Sequence, residues 1–445
     1  MSTTPTGSEL LWALPPDLPQ DAAQSNAATA QWMDERSRAL AVQDSVTACR
    51  MALGAWSLAG QSRMYYATAR AMFVHVGTGE FGAPTETGVL ETLLAQNPQD
   101  LVARIALSNQ HRRARRLHTA ETLCRTALEQ HPGNPFAMGR LASMLAEQGA
   151  VQGADALFRE VGARFGGVEA AIRLAPDFLH GSERIAVPQP DPLVQIAAPA
   201  QAADFIVLAG GDAGYFHRFA DALANSLARS CHGVGLHLHV VDPDAAVMTR
   251  IQAMRDRLPG MSIALTVETC PVGLPHELRT TFFACARFLH LPRLLAAYAK
   301  PVLSLDIDMV VLRDVAPLLN QFAAEQADLA LVHGETRDPW CALWADAVLV
   351  APSERGAAYA ALVRDYIAHF IARGEAAWFL DQIALFAAAK MGFRDRAAPV
   401  TIAWPSDIQN TRTDLAYFWS LHMSQPNNVS GPETELYRRF KENAV

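Results

Sequence analysis

The most informative segment of the chain reads Val302-Leu-Ser-Leu-Asp306-Ile-Asp308-Met-Val-Val-Leu-Arg313-Asp314. An apolar run that leads into two acids separated by one residue is typical of a buried strand with carboxylates at its carboxyl-terminal tip. Because side chains alternate along a strand, Asp306 and Asp308 are predicted to face one side and Ile307 the core. Two neighbouring carboxylates repel each other, and such oxygen ligands suit Mn²⁺ or Mg²⁺. The segment therefore predicts a divalent-cation site, and a solvated acidic turn is the alternative.

Apolar strands alternate with helical segments before this segment. Residues 205–209, 235–241, 262–267 and 301–305 have the pattern of strands, and residues 215–230, 245–257 and 281–299 have helical apolar spacing. The alternation predicts an α/β domain over residues 204–445, with a mixed, mostly parallel sheet. In such sheets a ligand binds at the carboxyl ends of the strands, which is where the two acids fall.

The N-terminal part of the chain has a different texture. Residues 31–181 are rich in Ala, Leu, Arg, Gln and Glu with helical spacing, which predicts an all-helical domain ahead of the α/β domain. Within it Gln96-Asn97-Pro98 recurs as Gln130-His131-Pro132, and Ala120 recurs as Ala154, each 34 residues later. This helix–turn–helix period resembles the tetratricopeptide repeat. An ordinary helical bundle is the alternative, because two copies are few for a repeat array.

Three further segments have distinctive compositions. Residues 1–30 hold prolines among Ser, Thr, Gln and Ala, which predicts a poorly ordered leader. Residues 182–203 hold prolines among Ala and Gln and are predicted to be a linker. The basic run His111-Arg-Arg-Ala-Arg-Arg116 is predicted to be a solvated turn between two helices, with a nucleic-acid patch as the alternative.

Overall composition restricts the class of protein. The chain has 445 residues, which favours two domains, and a net charge of -8, which gives no reason to expect nucleic acid or an anionic membrane as partner. No segment approaches the roughly 20 apolar residues that cross a bilayer, and the N-terminus lacks the pattern of a signal peptide. The six cysteines are scattered without a CxxC motif, which is typical of a reducing compartment. We therefore expect a cytoplasmic location.

From Asp204 onward, several motifs in this order resemble the family-8 glycosyltransferases, the group that includes glycogenin and bacterial lipooligosaccharide galactosyltransferases. The motifs are Ile206-Val-Leu-Ala-Gly-Gly-Asp212-Ala-Gly-Tyr215, Ala286-Arg287-Phe288, Leu303 to Val310, Phe379-Leu-Asp381-Gln382 and Ser420-Leu-His422-Met. The resemblance implies a GT-A fold and a retaining hexosyltransferase. Its donor would be a nucleotide sugar, expected to be a UDP-sugar, and its acceptor a glycan or a protein.

The resemblance also implies roles for individual residues. Donor contacts would come from Ala209, Gly210, Gly211, Asp212, Tyr215, Arg287 and Asp306. Asp306, Asp308 and His422 would bind Mn²⁺ or Mg²⁺, and the metal and Arg287 would neutralise the leaving nucleoside diphosphate. Asp381 and Gln382 would be the catalytic pair at the donor sugar. Asp346 stands where the family more often has Asn, and it is predicted to bind the acceptor.

Two other functions stay open beside the one that this resemblance implies. The lysine that usually follows the late histidine is missing, which favours a tetratricopeptide adaptor protein whose nucleotide-sugar-binding domain is catalytically inactive. In either case the helical repeats would provide a surface for a protein partner. A nucleotidyltransferase that forms sugar nucleotides is the third hypothesis, but Gly210–Gly214 has none of the basic residues that its phosphate loop requires.

Overall fold

The computed structural model describes residues 19–20, 25–41, 44–61, 63–74, 82–167, 171–179, 194–195, 203–334, 338–393, 397–409 and 416–420. The chain divides into two compact units, Met1–Gln148 and Gly149–Val445. Most of the predicted leader and linker, and the predicted metal ligand His422, lie outside the described residues. Within the described ranges, no helix combines the length and the apolar character needed to span a membrane.

The first unit is built from helices. They are α1 (Asn26–Leu40), α2 (Ser45–Leu58), α3 (Arg63–Met72), α4 (Ala83–Gln96), α5 (Leu101–Arg113), α6 (Leu117–Gln130) and α7 (Pro135–Gln148). Helices that follow each other in the chain pack together, α1 on α2 and α4 through α7 in succession. Their apolar faces meet in a core around Trp56, Leu90 and Leu93, as the helical spacing of the sequence predicts.

The helix limits in this unit repeat. The starts of α6 and α7 each lie 34 residues after the starts of α4 and α5. Asp100 accepts a hydrogen bond from the backbone of Ala103 at the start of α5, and Asn134 caps α7 from the equivalent position. Ala120 is fully buried, and the hydroxyl of Ser108 donates to its carbonyl oxygen at 2.9 Å, so α5 and α6 approach closely there. The tetratricopeptide assignment itself stays a prediction.

The basic run joins α5 to α6, but it is not a fully solvated turn as predicted. His111 and Arg112 are buried, and Nε of Arg112 lies 2.8 Å from Oε2 of Glu147. Arg115 pairs with the same carboxylate. The helical period turns Arg112 toward α7, where Glu147 provides the charge that makes its burial tolerable.

The second unit contains the remaining elements. They are α8 (Val151–Phe165), α9 (Pro176–Leu179), β1 (Val194–Gln195), β2 (Phe205–Asp212), α10 (Ala213–Ser230), β3 (Val234–Val241), α11 (Ala245–Arg257), β4 (Ser262–Glu268), α12 (His276–Tyr298), β5 (Val302–Asp306), β6 (Met309–Val311), α13 (Ala316–Ala324), β7 (Leu329–His333), β8 (Leu343–Val350), α14 (Glu354–Ala372), α15 (Leu380–Met391), β9 (Thr401–Pro405), a 3-10 helix (Ser406–Gln409) and β10 (Phe418–Ser420). Helix α8, which the sequence analysis assigned to the helical domain, falls within this unit. The predicted domain limits themselves stay a prediction.

One large sheet organises this unit. Its strands follow the order β1-β4-β3-β2-β5-β8-β7-β9, and β6 pairs with β10 in a small second sheet. Strands β4, β3, β2 and β5 are parallel, whereas β8 runs antiparallel to both β5 and β7. The predicted mixed, mostly parallel α/β sheet is therefore confirmed. Val207, Leu238 and Leu303 lie fully buried or nearly so in its apolar core.

Gly210 and Gly211 of the first motif lie inside strand β2, whereas the sequence pattern predicted a strand that ends at residue 209. Gly210 pairs with His239 on one neighbouring strand and with Asp306 on the other. A Cβ atom on Gly210 would lie 3.2 Å from Cβ of Arg287. The glycine therefore lets α12 approach the sheet closely enough to bring Arg287 beside the tip of β5.

Candidate active site

The two acids of the central motif lie at the end of β5. Asp306 ends this strand, and Ile307 and Asp308 form the turn into β6. Ile307 packs in the core with 2% of its surface exposed, as predicted, and Asp308 is 9% exposed. Because β10 pairs with β6, Ser420 lies beside this turn, and its hydroxyl donates to Oδ2 of Asp308 at 3.0 Å.

Arg287 provides a fixed positive charge next to these acids. It is buried on α12, and its guanidinium pairs with Asp306. Nη1 donates to the carbonyl oxygen of Ala284 at 2.8 Å, and Nη2 donates to that of Ala345 at 2.9 Å. The guanidinium carbon also lies 4.6 Å from the centre of the Phe288 ring. With these contacts the side chain is held in one orientation.

Two further carboxylates lie close to this pair. Asp346 is on β8, which runs antiparallel to β5. Leu305 pairs with Ala347, so the next position along places Asp346 across from Asp306. Asp381 is in the first turn of α15, where its Oδ1 accepts a hydrogen bond of 2.8 Å from the backbone of Gln382. Three separate elements thus bring acids to one place.

Burial, followed by the charge of Asp306, raises the pKa of the three acids Asp308, Asp346 and Asp381. Burial, and then the charge of Asp306, raise the pKa of Asp308 to about 7, and the same two causes raise the pKa of Asp346 to about 7. Burial also raises the pKa of Asp381, although the charge of Arg287 opposes this. Oδ1 of Asp346 is buried without a hydrogen-bond partner in the described part of the chain. Four carboxylates beside one guanidinium leave an excess of negative charge, which favours the binding of a cation.

Among the described residues, these acids do not form a group whose potential ligand atoms all lie close together. Asp306 is turned toward Arg287, and Asp308 toward Ser420. Among the described residues, the one group of three potential ligands with all ligand atoms within 4.8 Å of each other lies elsewhere in this unit. With His422 outside the described residues, the assignment of a metal to Asp306, Asp308 and His422 stays a prediction that the excess negative charge supports.

A cavity of about 430 Å³ opens beside the acids. It is lined by residues of α12, of β5 and β8, and of the start of α15: Thr281, Ala284, Cys285, Asp306, Cys341, Trp344, Ala345, Asp346, Trp378, Phe379, Asp381 and Gln382. The volume falls in the range of small-molecule sites, about 300–1,000 Å³. The predicted catalytic pair Asp381 and Gln382 and the predicted acceptor residue Asp346 therefore line one cavity with Asp306.

Aromatic side chains at this cavity were missed by the sequence analysis. Trp344 and Trp378 both line it, and Trp378 is 55% exposed. The next residue, Phe379, has a φ of +72°, a conformation that large side chains rarely adopt and that is often found at functional sites. Each tryptophan stands within three residues of a predicted site acid, Asp346 or Asp381, and this spacing was the available signal.

The first motif lies on β2 and at the start of α10. Ala209 is fully buried in the strand core and does not line the cavity. Asp212 caps α10, and its Oδ1 accepts a hydrogen bond of 2.8 Å from the backbone of Tyr215. Burial, and then the charge of Asp308, raise the pKa of the Tyr215 hydroxyl, so this ring, 37% exposed, lies within electrostatic reach of the acids. The roles of Ala209, Asp212 and Tyr215 in donor binding stay predictions.

Comparison with known proteins finds solved structures of glycosyltransferases that are similar to part of the chain at low identity. No family model and no curated protein matches it. The apo structure of WbbM, a bifunctional glycosyltransferase, matches at 14% identity and a TM-score of 0.38, covering 56% of this chain and 51% of WbbM. The glycosyltransferase GlyE of Streptococcus pneumoniae TIGR4 matches at 18% identity and a TM-score of 0.36, covering 54% and 60%. The galactosyltransferase LgtC with donor and acceptor sugar analogs matches at 17% identity and a TM-score of 0.32, covering 54% and 84%. The chain thus covers little more than half the length of WbbM and of GlyE.

Proposed function

We propose that the second unit is a metal-dependent glycosyltransferase of the family-8 type with a GT-A fold. It would move a hexose from a nucleotide sugar, in the first place a UDP-sugar, to a glycan or protein acceptor with retention of anomeric configuration. One observation carries the proposal: a cavity of ligand size, lined by Asp306, Asp346 and Asp381, lies against the buried Arg287 at the carboxyl end of a parallel strand. Ligands bind at this edge of such sheets.

The excess of carboxylates fits a divalent cation. Asp306 and Asp308 would hold Mn²⁺ or Mg²⁺, with His422 as the proposed third ligand, and the bound ion would offset charge on a donor diphosphate. Ser420 already orients Asp308 through its 3.0 Å hydrogen bond. This contact would keep one carboxylate oxygen of Asp308 in place while the other faces the ion.

Arg287 would stabilise the leaving nucleoside diphosphate. Its guanidinium is fixed by two backbone carbonyl oxygens and by Asp306 before any substrate binds. A charge that is already oriented requires no rearrangement as negative charge develops on the leaving group. Burial strengthens this electrostatic stabilisation, because the protein interior has a lower dielectric constant than water and screens charges less.

The cavity wall would bind the sugars. Asp381 would stabilise positive charge at the anomeric carbon, and the side-chain amide of Gln382 would bind hydroxyl groups of the donor sugar. Asp346, across from Asp306 on β8, would accept a hydrogen bond from the acceptor. All three residues line the same cavity, so donor and acceptor would meet beside Arg287.

The proposal is tested by assaying hydrolysis of a panel of UDP- and GDP-sugars with Mn²⁺. We expect turnover of one donor, a loss of at least about 100-fold in Asp308→Asn, and no loss in Asp256→Asn. Asp256 is a matched control because it is exposed on α11, where it accepts a hydrogen bond from Gln252. Equal activity of Asp308→Asn and wild type would contradict the metal-dependent mechanism.

A second function is favoured by one contact. Arg287 pairs with Asp306, so a predicted metal ligand is already engaged. This arrangement suits a tetratricopeptide adaptor protein whose nucleotide-sugar domain no longer catalyses. In that case the folded protein would bind a UDP-sugar in a calorimetric titration yet turn over none of the panel.

A further inference from the structure

A second cluster of polar side chains lies inside the α/β unit, between β3, β4 and α12. Nε2 of His239 lies 3.0 Å from Oε1 of Glu268, and Nε2 of His290 lies 2.9 Å from Oε2 of the same carboxylate. The two imidazole rings are 4.5 Å apart. The histidine side chains are 0% and 1% exposed, and that of Glu268 is 11% exposed.

Hydrogen bonds extend from this cluster to the far end of α12. Nδ1 of His239 lies 2.9 Å from the hydroxyl of Thr266, which lies 2.8 Å from Nε2 of His237. Nδ1 of His237 in turn lies 2.6 Å from the hydroxyl of Tyr298. Because Thr266 has one hydrogen to donate, it donates to one histidine and accepts from the other. The groups therefore form one path with a single direction, from Tyr298 to Glu268.

The cluster contains a buried carboxylate between two imidazoles. Burial lowers the pKa of His239, so this imidazole is neutral at pH 7. Although burial opposes ionisation, the hydrogen bonds from His239 and His290 lower the pKa of Glu268 to about 2. Within the described residues, the only ion-pair partners of Glu268 are these two histidines. Buried charges in proteins are usually paired with an opposite charge or bound to a metal.

We propose that His239, Glu268 and His290 bind a transition-metal ion, Zn²⁺ in the first place. Two imidazoles and one carboxylate are a common set of protein ligands for Zn²⁺, with a water or further donor completing four-fold coordination. All three ligand atoms already lie within 4.8 Å of one another. Ligands about 2.0–2.1 Å from a tetrahedral ion are about 3.3 Å apart, so atoms that now lie up to 4.8 Å from one another need to move by no more than about 1.5 Å.

The hydrogen-bonded path allows His239 to change tautomer. A metal takes the lone pair of Nε2, so its proton must move to Nδ1, which then donates to the hydroxyl of Thr266. Thr266 can then donate to Nε2 of His237, and Nδ1 of His237 to the oxygen of Tyr298. Each histidine keeps one proton, and the path stays hydrogen-bonded in the opposite direction. Such a partner on the far nitrogen is typical of metal-binding histidines.

His290 differs from His239 at its far nitrogen. Its Nε2 donates to Glu268, and its Nδ1 is buried without a hydrogen-bond partner among the described residues, so a metal ion on Nε2 requires the proton to move to Nδ1. His290 also follows Arg287 by three residues on α12, which places the two side chains on neighbouring turns. A bound metal would therefore tie α12 to β3 and β4 close to the arginine of the candidate active site.

Metal uptake is measured with Co²⁺ as a spectroscopic substitute for Zn²⁺, in the full-length Asp306→Asn/Asp308→Asn variant after dialysis against a chelator. This background removes the carboxylates proposed to bind Mn²⁺. We expect one Co²⁺ per chain, with the intense visible absorption of four-coordinate Co²⁺, and its loss on adding one equivalent of Zn²⁺. Adding Glu268→Gln is expected to weaken binding by more than about 100-fold, and His237→Gln, which orients His239, by about 10-fold.

The matched control is His232→Gln, which changes an exposed histidine outside the cluster and is expected to leave binding unchanged. Binding that persists in a folded Glu268→Gln variant, or no uptake by the folded parent, would overturn the proposal. If the cluster variants do not fold, X-ray absorption of the Zn²⁺-loaded parent decides. Two imidazole nitrogens at about 2.0 Å support the site, and a shell without imidazole contradicts it.

Discussion

Two polar regions of the α/β unit flank strand β2, and they satisfy their charges in different ways. Gly210 on that strand pairs with Asp306 of the carboxylate site on one side and with His239 of the histidine cluster on the other. The carboxylate site opens to a cavity, and an oxygen of Asp346 has no partner in the described part of the chain. In the histidine cluster, both oxygens of Glu268 are hydrogen-bonded.

This difference indicates different roles. Paired groups in a buried network make a fold rigid and specific, whereas a buried group without a partner, such as Oδ1 of Asp346 or Nδ1 of His290 among the described residues, has free energy to gain from a ligand. Helix α12 connects the two regions, because Arg287 reaches the acids and His290 reaches Glu268. Under the two proposals above, the histidine cluster with its metal ion would fix the helix that positions Arg287, and the carboxylate site would bind the substrate.

The largest effect is expected from Arg287→Gln. Loss of the guanidinium that pairs with Asp306 should lower kcat/KM for the donor sugar by about 100- to 1,000-fold, since this oriented cation is the one proposed to stabilise the leaving diphosphate. Affinity for Mn²⁺ should not fall, because Asp306 is released from its ion pair. The two quantities are measured by donor hydrolysis and by calorimetric titration of Mn²⁺.

Arg293→Gln is the matched control, because Arg293 is exposed on the same helix. It should leave both quantities unchanged. Equal losses of Mn²⁺ affinity and of turnover in Arg287→Gln would show that the arginine only supports the fold of the carboxylate site, and the contrast between the two regions would fail.

Much of the α/β fold could be predicted from local pattern. Helix α11 has the limits predicted for it, 245–257, because Asp244 caps its start and a regular apolar face spans its length. The strand that leads to Asp306 was predicted from the apolar run that precedes the two acids. The error at Gly210 and Gly211 has a tertiary cause, since their place in β2 depends on pairing with two neighbouring strands and on the closeness of α12.

The contacts inside the two polar regions could not be predicted in the same way. The family resemblance directed attention to Arg287 and Asp306, but their ion pair joins a helix and a strand through tertiary packing. The histidine cluster was missed entirely, because its members come from three elements and are far apart in the chain. The available signal was the pair His237 and His239 within an otherwise apolar strand.

An intermediate effect is expected from Asp346→Asn, through the pH dependence of stability. The pKa of Asp346 is raised to about 7 in the folded protein, from about 3.9 in an unfolded chain. Its stabilising contribution is therefore present below about pH 4 and is lost as the pH rises through about 7. Asn carries no charge. The free energy of unfolding of the variant, taken relative to that of the wild type, should therefore be about 2 kcal/mol higher at pH 8 than at pH 5.

Urea unfolding of the chelator-treated protein at the two pH values measures this gain. Asp256→Asn, at an exposed position, should show the same difference from wild type at both. If the difference in stability between Asp346→Asn and the wild type is the same at pH 5 and pH 8, neither burial nor the charge of Asp306 raises the pKa of Asp346 in the folded state. The carboxylate site would then be as well satisfied as the histidine cluster.

The smallest effect is expected from Trp378→Ala at the rim of the cavity. The ring is 55% exposed beside Asp381, whereas the aromatic partner of the histidine cluster, Tyr298, is buried. An exposed flat ring at a polar cavity offers a surface to the apolar face of a sugar, and such a contact contributes about 1 kcal/mol. We therefore expect the KM for a glycan acceptor to rise about 5-fold. Donor hydrolysis without acceptor should change less than about 2-fold, since the catalytic acids are untouched.

Trp378→Phe should recover most of the acceptor affinity, and Val272→Ala, at a fully exposed apolar position, should change neither quantity. An equal loss of donor hydrolysis in Trp378→Ala would instead place the ring in the support of Phe379 and Asp381.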